Sequence, residues 1–222
     1  MYYKKIWNSH WKNKKMQFFL DKISRIYRIN LLGKLGGRHA NKFFKNGIFI
    51  ECGSGTGEAS SRIKRNGKKL VAIDINPTPL FISKTKHTHD YYILADIVSL
   101  PIKNNCIDGV WNFGVMEHFK LCEIKKTFFE FYRILKSNGI CIIFWPSLFN
   151  IIYISFRAFY IFSLLFKLQI RGVIPHRGFY LITAKVSKKI WGLINKIGYS
   201  KIYIHQPSLQ DLYCHYKVIC KK

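Results

Sequence analysis

The residues Ile48 to Gly57, Ile-Phe-Ile-Glu-Cys-Gly-Ser-Gly-Thr-Gly, restrict the fold of this chain more than any other stretch. Ile48 to Ile50 is a short apolar run that reads as a buried parallel strand. It closes on an acid, Glu51, and on a turn bearing Gly53, Gly55 and Gly57. Glycines let the backbone take positive φ and let a ligand come closer than any Cβ allows. A helix expected over 57–66, ending at Asn66-Gly67, would add unpaired N–H groups at its start. The pattern is a nucleotide-type binding turn, and its spacing excludes two of its users. A phosphate-gripping loop needs Gly-Lys-Ser/Thr after the glycines, whereas Gly57 is followed by Glu58. The dinucleotide pattern G-x-G-x-x-G, started at Gly53, requires a third glycine where Glu58 stands.

Further acids close further strands. Leu70 to Asp74 reads as a second buried strand, at the distance from the glycine turn that suits one β-α-β unit. Pro77 and Pro79 open a helix, since proline fits a first helical turn. Tyr91 to Ala95 is a third strand followed by Asp96, and Cys106 to Trp111 a fourth, leading into Asn112-Phe113-Gly114-Val115-Met116-Glu117-His118. A helix over 122–136 stops at Gly139, and Ile140 to Trp145 is a fifth strand. Helix 183–196 and the runs 200–205 and 213–220, a closing antiparallel pair, complete the reading.

The spacing E-x-G-x-G-x-G at Glu51 to Gly57 resembles motif I of class I S-adenosylmethionine (SAM)-dependent methyltransferases. Leu100-Pro101-Ile102 with Ile107-Asp108-Gly109-Val110 resembles the "LPF…FD-x-V" passage of the small-molecule members. Arg133-Ile134-Leu135-Lys136-Ser137-Asn138-Gly139 is similar to their "R-x-L-K-P-G-G". The resemblance runs almost unbroken from Gly47 to Pro146. It implies an α/β, Rossmann-like fold, a mostly parallel seven-stranded sheet flanked by helices; beyond Pro146 the resemblance fades, and the apolar run there reads as an inserted helical segment after strand five. It implies S-adenosyl-L-methionine as cofactor, held by Glu51, Gly53, Gly55, Gly57, Asp74, Ile75, Asp96, Ile97 and Asn112. Asp74 would accept from both ribose hydroxyls and Asp96 from the adenine amino group, with Ile75 and Ile97 against the ring. Glu117 and His118 stand where the family carries Glu-His or His-His over the methyl group. His118 is then either a general base, its ordinary pKa suiting neutral pH, or a residue that caps a helix or lines the pocket. Some relatives bind a divalent metal through a carboxylate three residues before the Glu. That position is Gly114 here, and no metal is expected.

Charge bears on partners. Lys and Arg number 37 against 11 Asp and Glu, a net +26, which attracts anionic surfaces, acidic substrates or nucleic acid. Residues 1–46 form a basic N-terminal helical extension, with an amphipathic helix expected over 16–27; residues 47–222 form the methyltransferase domain. Within it, 147–182 is a substrate-cap or membrane-interface insertion. Its apolar part, 147–170, carries Arg157 in mid-segment, which would cost about 2.5–3.5 kcal/mol at a bilayer centre. It reads as an interfacial helix, a lid or a packed helix. The basic loop Arg171 to Gly178, with Arg171, His176 and Arg177, either receives an anionic substrate group or is a solvated turn. The six scattered cysteines form no C-x-x-C pair, and the N-terminus leads into no apolar core of signal-peptide length. A reduced, cytoplasmic protein, with or without peripheral membrane contact, is expected. Its acceptor is expected to be a small molecule or a lipid- or glycan-linked one. RNA is the alternative, although Asn112-Phe113-Gly114-Val115 replaces the Asn/Asp-Pro-Pro-Tyr type of base-handling motif. A non-catalytic partner protein of the same fold is the third reading.

Overall fold

The computed structural model describes Ile26 and residues 28–146, 184–205 and 215–222. The helix expected over 16–27 (Ile26 apart), the apolar segment 147–170 and the basic loop Arg171 to Gly178 lie outside the described residues. Among those described, seven strands form one sheet. They are β1 (Gly47–Cys52), β2 (Lys68–Asp74), β3 (Tyr91–Leu94), β4 (Ile107–Phe113), β5 (Leu135–Pro146), β6 (Lys201–His205) and β7 (His215–Lys221), in the order β3-β2-β1-β4-β5-β7-β6. β1 to β5 run parallel. β7 runs antiparallel between β5 and β6. The chain steps outward from β1 to β3 and then crosses to β4 on the other side of β1, so the strand order reverses between β1 and β4. In open α/β sheets, ligands bind in the crevice beyond the carboxyl ends at such a reversal.

Period-two alternation divides the strand side chains between two cores. Ile50, Cys52, Val71, Ile73, Val110, Cys141, Ile143, Val218 and Cys220 face one side. Phe49, Leu70, Trp111, Ile142, Phe144 and Ile219 face the other. On the first side lie Phe128 and Phe131 of α3 (Leu121–Ile134) and Ile190 and Ile194 of α4 (Ala184–Ile197). Covered on both faces, the central strands carry the continuous apolar runs that made them legible.

The second side is covered by α1 (Gly33–Phe43), which was not anticipated. Its three glycines, Gly33, Gly36 and Gly37, depress helix propensity, but they let it lie close: a Cβ on Gly36 would sit 2.7 Å from the Phe113 ring. Phe44, just past the helix, stacks on Phe49 (4.5 Å between centroids) and Trp111 (5.5 Å). Leu35 and Ala40 of α1, with Phe44, thus pack into this second core.

Two local expectations are corrected. The helix expected over 57–66 is a single 3-10 turn, Glu58–Ser60. Ser60 and Ser61 disfavour helix because their hydroxyls compete with the backbone; Ser60 donates its hydroxyl to Glu51, and the Asn41 side chain captures the Lys64 amide at 2.9 Å. Nor is Gly139 the stop of α3. The helix ends at Ile134, β5 begins at Leu135, and Asn138 takes the left-handed conformation (φ 67°). The remaining elements lie within a few residues of their expected bounds. α2 (Pro77–Thr85) opens with Pro77 behind an Asn76 cap whose side chain accepts from the Thr78 amide at 2.9 Å.

Arg133, from the R-I-L-K stretch, ties the loop after β3 to α3. Its guanidinium donates to the carbonyls of Leu100 (3.0 Å) and Ile102 (2.7 Å), to Asn104, and to Glu130 through two nitrogens. Glu130 in turn accepts from the Leu100 amide at 2.7 Å. Because hydrogen bonds to charged groups are worth about 1.5–3 kcal/mol, Arg133→Ala should destabilise the fold by ~2–3 kcal/mol. A urea midpoint measured at unchanged m-value checks this.

Candidate functional site

The glycine turn stands at the carboxyl end of β1. Gly53, Gly55 and Gly57 have φ of 71°, 52° and 78°, all in the left-handed region. The amides of Gly53 and Ser54 both donate to the Ile73 carbonyl, at 2.7 and 3.0 Å, which hangs the turn on β2. A Cβ at Gly53 would overlap Val115 and one at Gly57 the Thr88 and Ser83 hydroxyls, so these two glycines are demanded by packing. A Cβ at Gly55 would meet nothing within 4 Å. Gly55 faces open space, as a glycine reserved for ligand approach should.

Two buried acids brace the turn from within. Glu51, 1% exposed, accepts from the Ser60 hydroxyl and lies 2.9 Å from His89 Nε2. His89 reaches on through Nδ1 to the Thr88 hydroxyl, at 2.9 Å. Glu58 accepts from Thr56 and pairs with Lys86 (2.9 Å) and Arg28 (3.5 Å). Burial works to raise the Glu58 pKa, but the Thr56 and Lys86 hydrogen bonds and the positive charges of Arg28 and Lys86 outweigh it and hold the group below its ordinary value. Sequence reasoning missed Ser60, His89 and Glu58. Neither spacing nor motif marks His89, whose partner lies across the sheet.

Asp74 ends β2 half-buried. One carboxylate oxygen accepts from the Gly55 amide at 2.9 Å and the other from the Asn76 amide at 2.8 Å. Burial raises its pKa, opposed by the amides of Asn76 and Gly55, while the negative Glu51 adds to the rise. The Ala95 amide donates to the Asp74 carbonyl at 3.0 Å, which sets the end of β3 beside it. Asp96 follows, exposed, two residues past the strand, its carboxylate accepting from the Val98 amide. Ile75 is half-buried and Ile97 buried.

Asn112, at the end of β4 and fully buried, donates to the Cys52 carbonyl at 2.8 Å and so pins the start of the glycine turn. Its Oδ1 is buried with no hydrogen-bond partner. Beyond it, Gly114 (φ 62°) turns the chain into a 3-10 turn, Met116–His118. Glu117 is 7% exposed, its Oε2 is buried and unpartnered, and its Oε1 lies 3.9 Å from His118 Nε2. Burial pushes the Glu117 carboxyl up to about 8. A chain of contacts joins these groups: Asn112 to Cys52, Val115 to Gly53, Gly55 to Asp74, and Asp74 to the end of β3. Asp96 is bound into this edge only through its neighbours. Among the described residues, no group of three or more His, Cys, Asp or Glu could hold a metal. An open glycine, two adjacent acids and two orphaned buried oxygens suit a ligand with donor hydroxyl, amino and cationic groups.

The raised Glu117 pKa also bears on stability. In the window from about pH 5 to pH 8 the native state keeps a proton that the unfolded chain has lost. Stability should therefore fall by up to ~1.4 kcal/mol per pH unit as pH rises through that window. The loss should be absent in Glu117→Gln, as paired chemical unfolding at each pH would show.

Residues 50–143 match the family model described as Methyltransferase domain. A malonyl-[acyl-carrier protein] O-methyltransferase of Buchnera aphidicola subsp. Baizongia pistaciae is 29% identical over 125 residues, 55% of this chain and 47% of that protein. An uncharacterized protein of Methanocaldococcus jannaschii is 30% identical over 130 residues, covering 56% of this chain and 49% of that one. The matched stretch thus spans about half the length of these curated relatives. Among solved structures, a putative S-adenosyl-L-methionine-dependent methyltransferase from Methanococcus maripaludis superposes with a TM-score of 0.67 at 20% identity, over 91% of this chain and 90% of that one. Phosphoethanolamine N-methyltransferase 2 of Haemonchus contortus, in complex with S-adenosyl-L-methionine, gives 0.60 at 13% identity, over 89% and 56%. By its sheet order and its glycine turn the chain has the fold of the class I S-adenosylmethionine-dependent methyltransferases, and residues 50–143 of it match the Methyltransferase domain model.

Proposed function

We propose that this chain transfers a methyl group from SAM to a small-molecule acceptor, free or carried on a lipid or glycan. The observation that carries the reading is the open face of Gly55 hydrogen-bonded to Asp74, beside the orphaned oxygens of Asn112 and Glu117. When bound, SAM supplies an electrophilic methyl on a sulfonium. Asp74 would accept from the ribose hydroxyls and Asp96 from the adenine amino group, between Ile75 and Ile97. Asn112 Oδ1 would accept from the ammonium. Glu51 acts by holding the turn. His118, part-buried beside Glu117, is the group to take an acceptor proton near neutral pH. Much of the acceleration would come from in-line positioning.

The small-molecule reading draws support from a relative named for a carrier-bound malonyl acceptor and a structural neighbour named for phosphoethanolamine. The net charge of +26 favours an anionic acceptor or an anionic surface, and it is also what RNA methylation would draw on. Among the described residues, no helix is long and apolar enough to cross a membrane. Calorimetric titration with SAM and with S-adenosylhomocysteine tests the cofactor. Micromolar binding of both is the expected result, and no binding by well-folded protein would leave the non-catalytic reading. A labelled-methyl screen of lipid, glycan and RNA acceptors then separates the substrates. An RNA substrate would show binding that falls steeply with salt.

A further inference from the structure

Glu117 is built in a way that neither catalysis by His118 nor packing explains. Its carboxyl is nearly sealed from water, yet Oε2 has no hydrogen-bond partner. A buried carboxyl is normally paired or satisfied. The other charged groups of this sheet edge are turned elsewhere: Glu51 to His89 and Ser60, and Asp74 to the amides of Gly55 and Asn76. Asp96 accepts from Val98, Glu123 accepts from the Lys120 amide, and His215 lies edge-on to Phe113. His118 Nε2, at 3.9 Å, is the titratable group that approaches. The Gly114 backbone, where a Cβ would come within 3.3 Å of Oε1, closes another side. Its own backbone amide donates to the carboxyl, but burial outweighs that bond, and a carboxyl in such a place keeps its proton at neutral pH. It gives the proton up when a positive charge arrives.

We propose that Glu117 is the residue that tells the cationic cofactor from its neutral demethylated product. Its carboxyl ionises opposite the sulfonium of SAM and remains protonated beside the thioether of S-adenosylhomocysteine. This rests on the SAM-binding reading above and goes beyond it, because it assigns a charge-selecting role to one side chain. The consequence is a bias against product occupancy that strengthens with pH. Below about pH 8, binding SAM must expel a proton, so SAM affinity should rise about tenfold per pH unit while product affinity stays flat.

The test counts protons. The wild-type chain is titrated at pH 7 with SAM, and separately with S-adenosylhomocysteine, in two buffers of different ionisation enthalpy. The expected result is release of about 0.9 proton per SAM and about none per product, from a group poised near 8. Glu117→Gln, which preserves shape, should abolish the release and flatten the pH dependence of the SAM-to-product affinity ratio. His118→Asn should keep both. Equal proton counts for the two ligands in the wild type overturn the proposal, as does release that survives Glu117→Gln or disappears only in His118→Asn. SAM binding without differential release defeats this proposal alone, whereas absence of SAM binding defeats the cofactor assignment with it.

Discussion

Asp74→Ala should lower SAM affinity by about 100-fold or more while leaving the protein folded. Each hydrogen bond from a ligand hydroxyl to an ionised carboxylate is worth about 1.5–3 kcal/mol, and a factor of ten in affinity is 1.4 kcal/mol. Losing two such bonds sets the scale. The fold should survive because the Gly55 and Asn76 amides, released from the half-buried carboxylate, can turn to water. Asp74→Asn keeps one acceptor oxygen and should fall between, near tenfold. Titration calorimetry and a thermal melt on the same samples separate the two effects. Near-normal SAM affinity in the alanine variant, with an unchanged melt, would sink the cofactor assignment.

Gly57→Val is the second large effect, and it acts on the fold. At φ 78° a β-branched residue is strained, and its Cβ would overlap the hydroxyls of Thr88 and Ser83, which are hydrogen-bonded to each other. Left-handed strain of ~1–2 kcal/mol and overpacking of ~1–3 kcal/mol together predict a loss of roughly 2–5 kcal/mol. Denaturant unfolding gives the number. Gly55→Ala makes the contrast: its backbone is also left-handed, but open space receives the methyl. It should lose ~1–2 kcal/mol and, if Gly55 is the approach face, a disproportionate share of SAM affinity. A Gly55→Ala variant that binds SAM normally would count against that face.

The strands were legible because their residues are apolar on both faces and end at acids or glycines, a signal that survives without knowledge of neighbours. The same holds for Asp74, whose place at a strand end is a matter of sequence spacing. What escaped depends on partners far along the chain. α1 is poor in helix formers, and its three glycines make sense only against Ser61, Phe113 and Arg62. The missing helix after the glycine turn was lost to competition: Ser60 spends its hydroxyl on Glu51, and Asn41 takes an amide the helix would have used. His89 carries no local mark at all, since it sits in the loop before β3 and its contact is with Glu51 of β1. Glu117 and His118 were located by resemblance, but the isolation of the Glu117 carboxyl is a property of three-dimensional burial.

The place of β7 in the sheet has a consequence for biosynthesis. β6 leaves the ribosome before β7, yet its ladder partner in the sheet is β7, which also covers the free edge of β5. Until residues 215–221 arrive, the parallel half can assemble but β5 stays an open edge, with Ile142 and Phe144 on its face and unpaired backbone along its length. Such edges template association between chains. A nascent chain halted after His205 should therefore be stickier than one carried through to Lys221. Among the described strands, the last to be made is the one that closes the edge of β5.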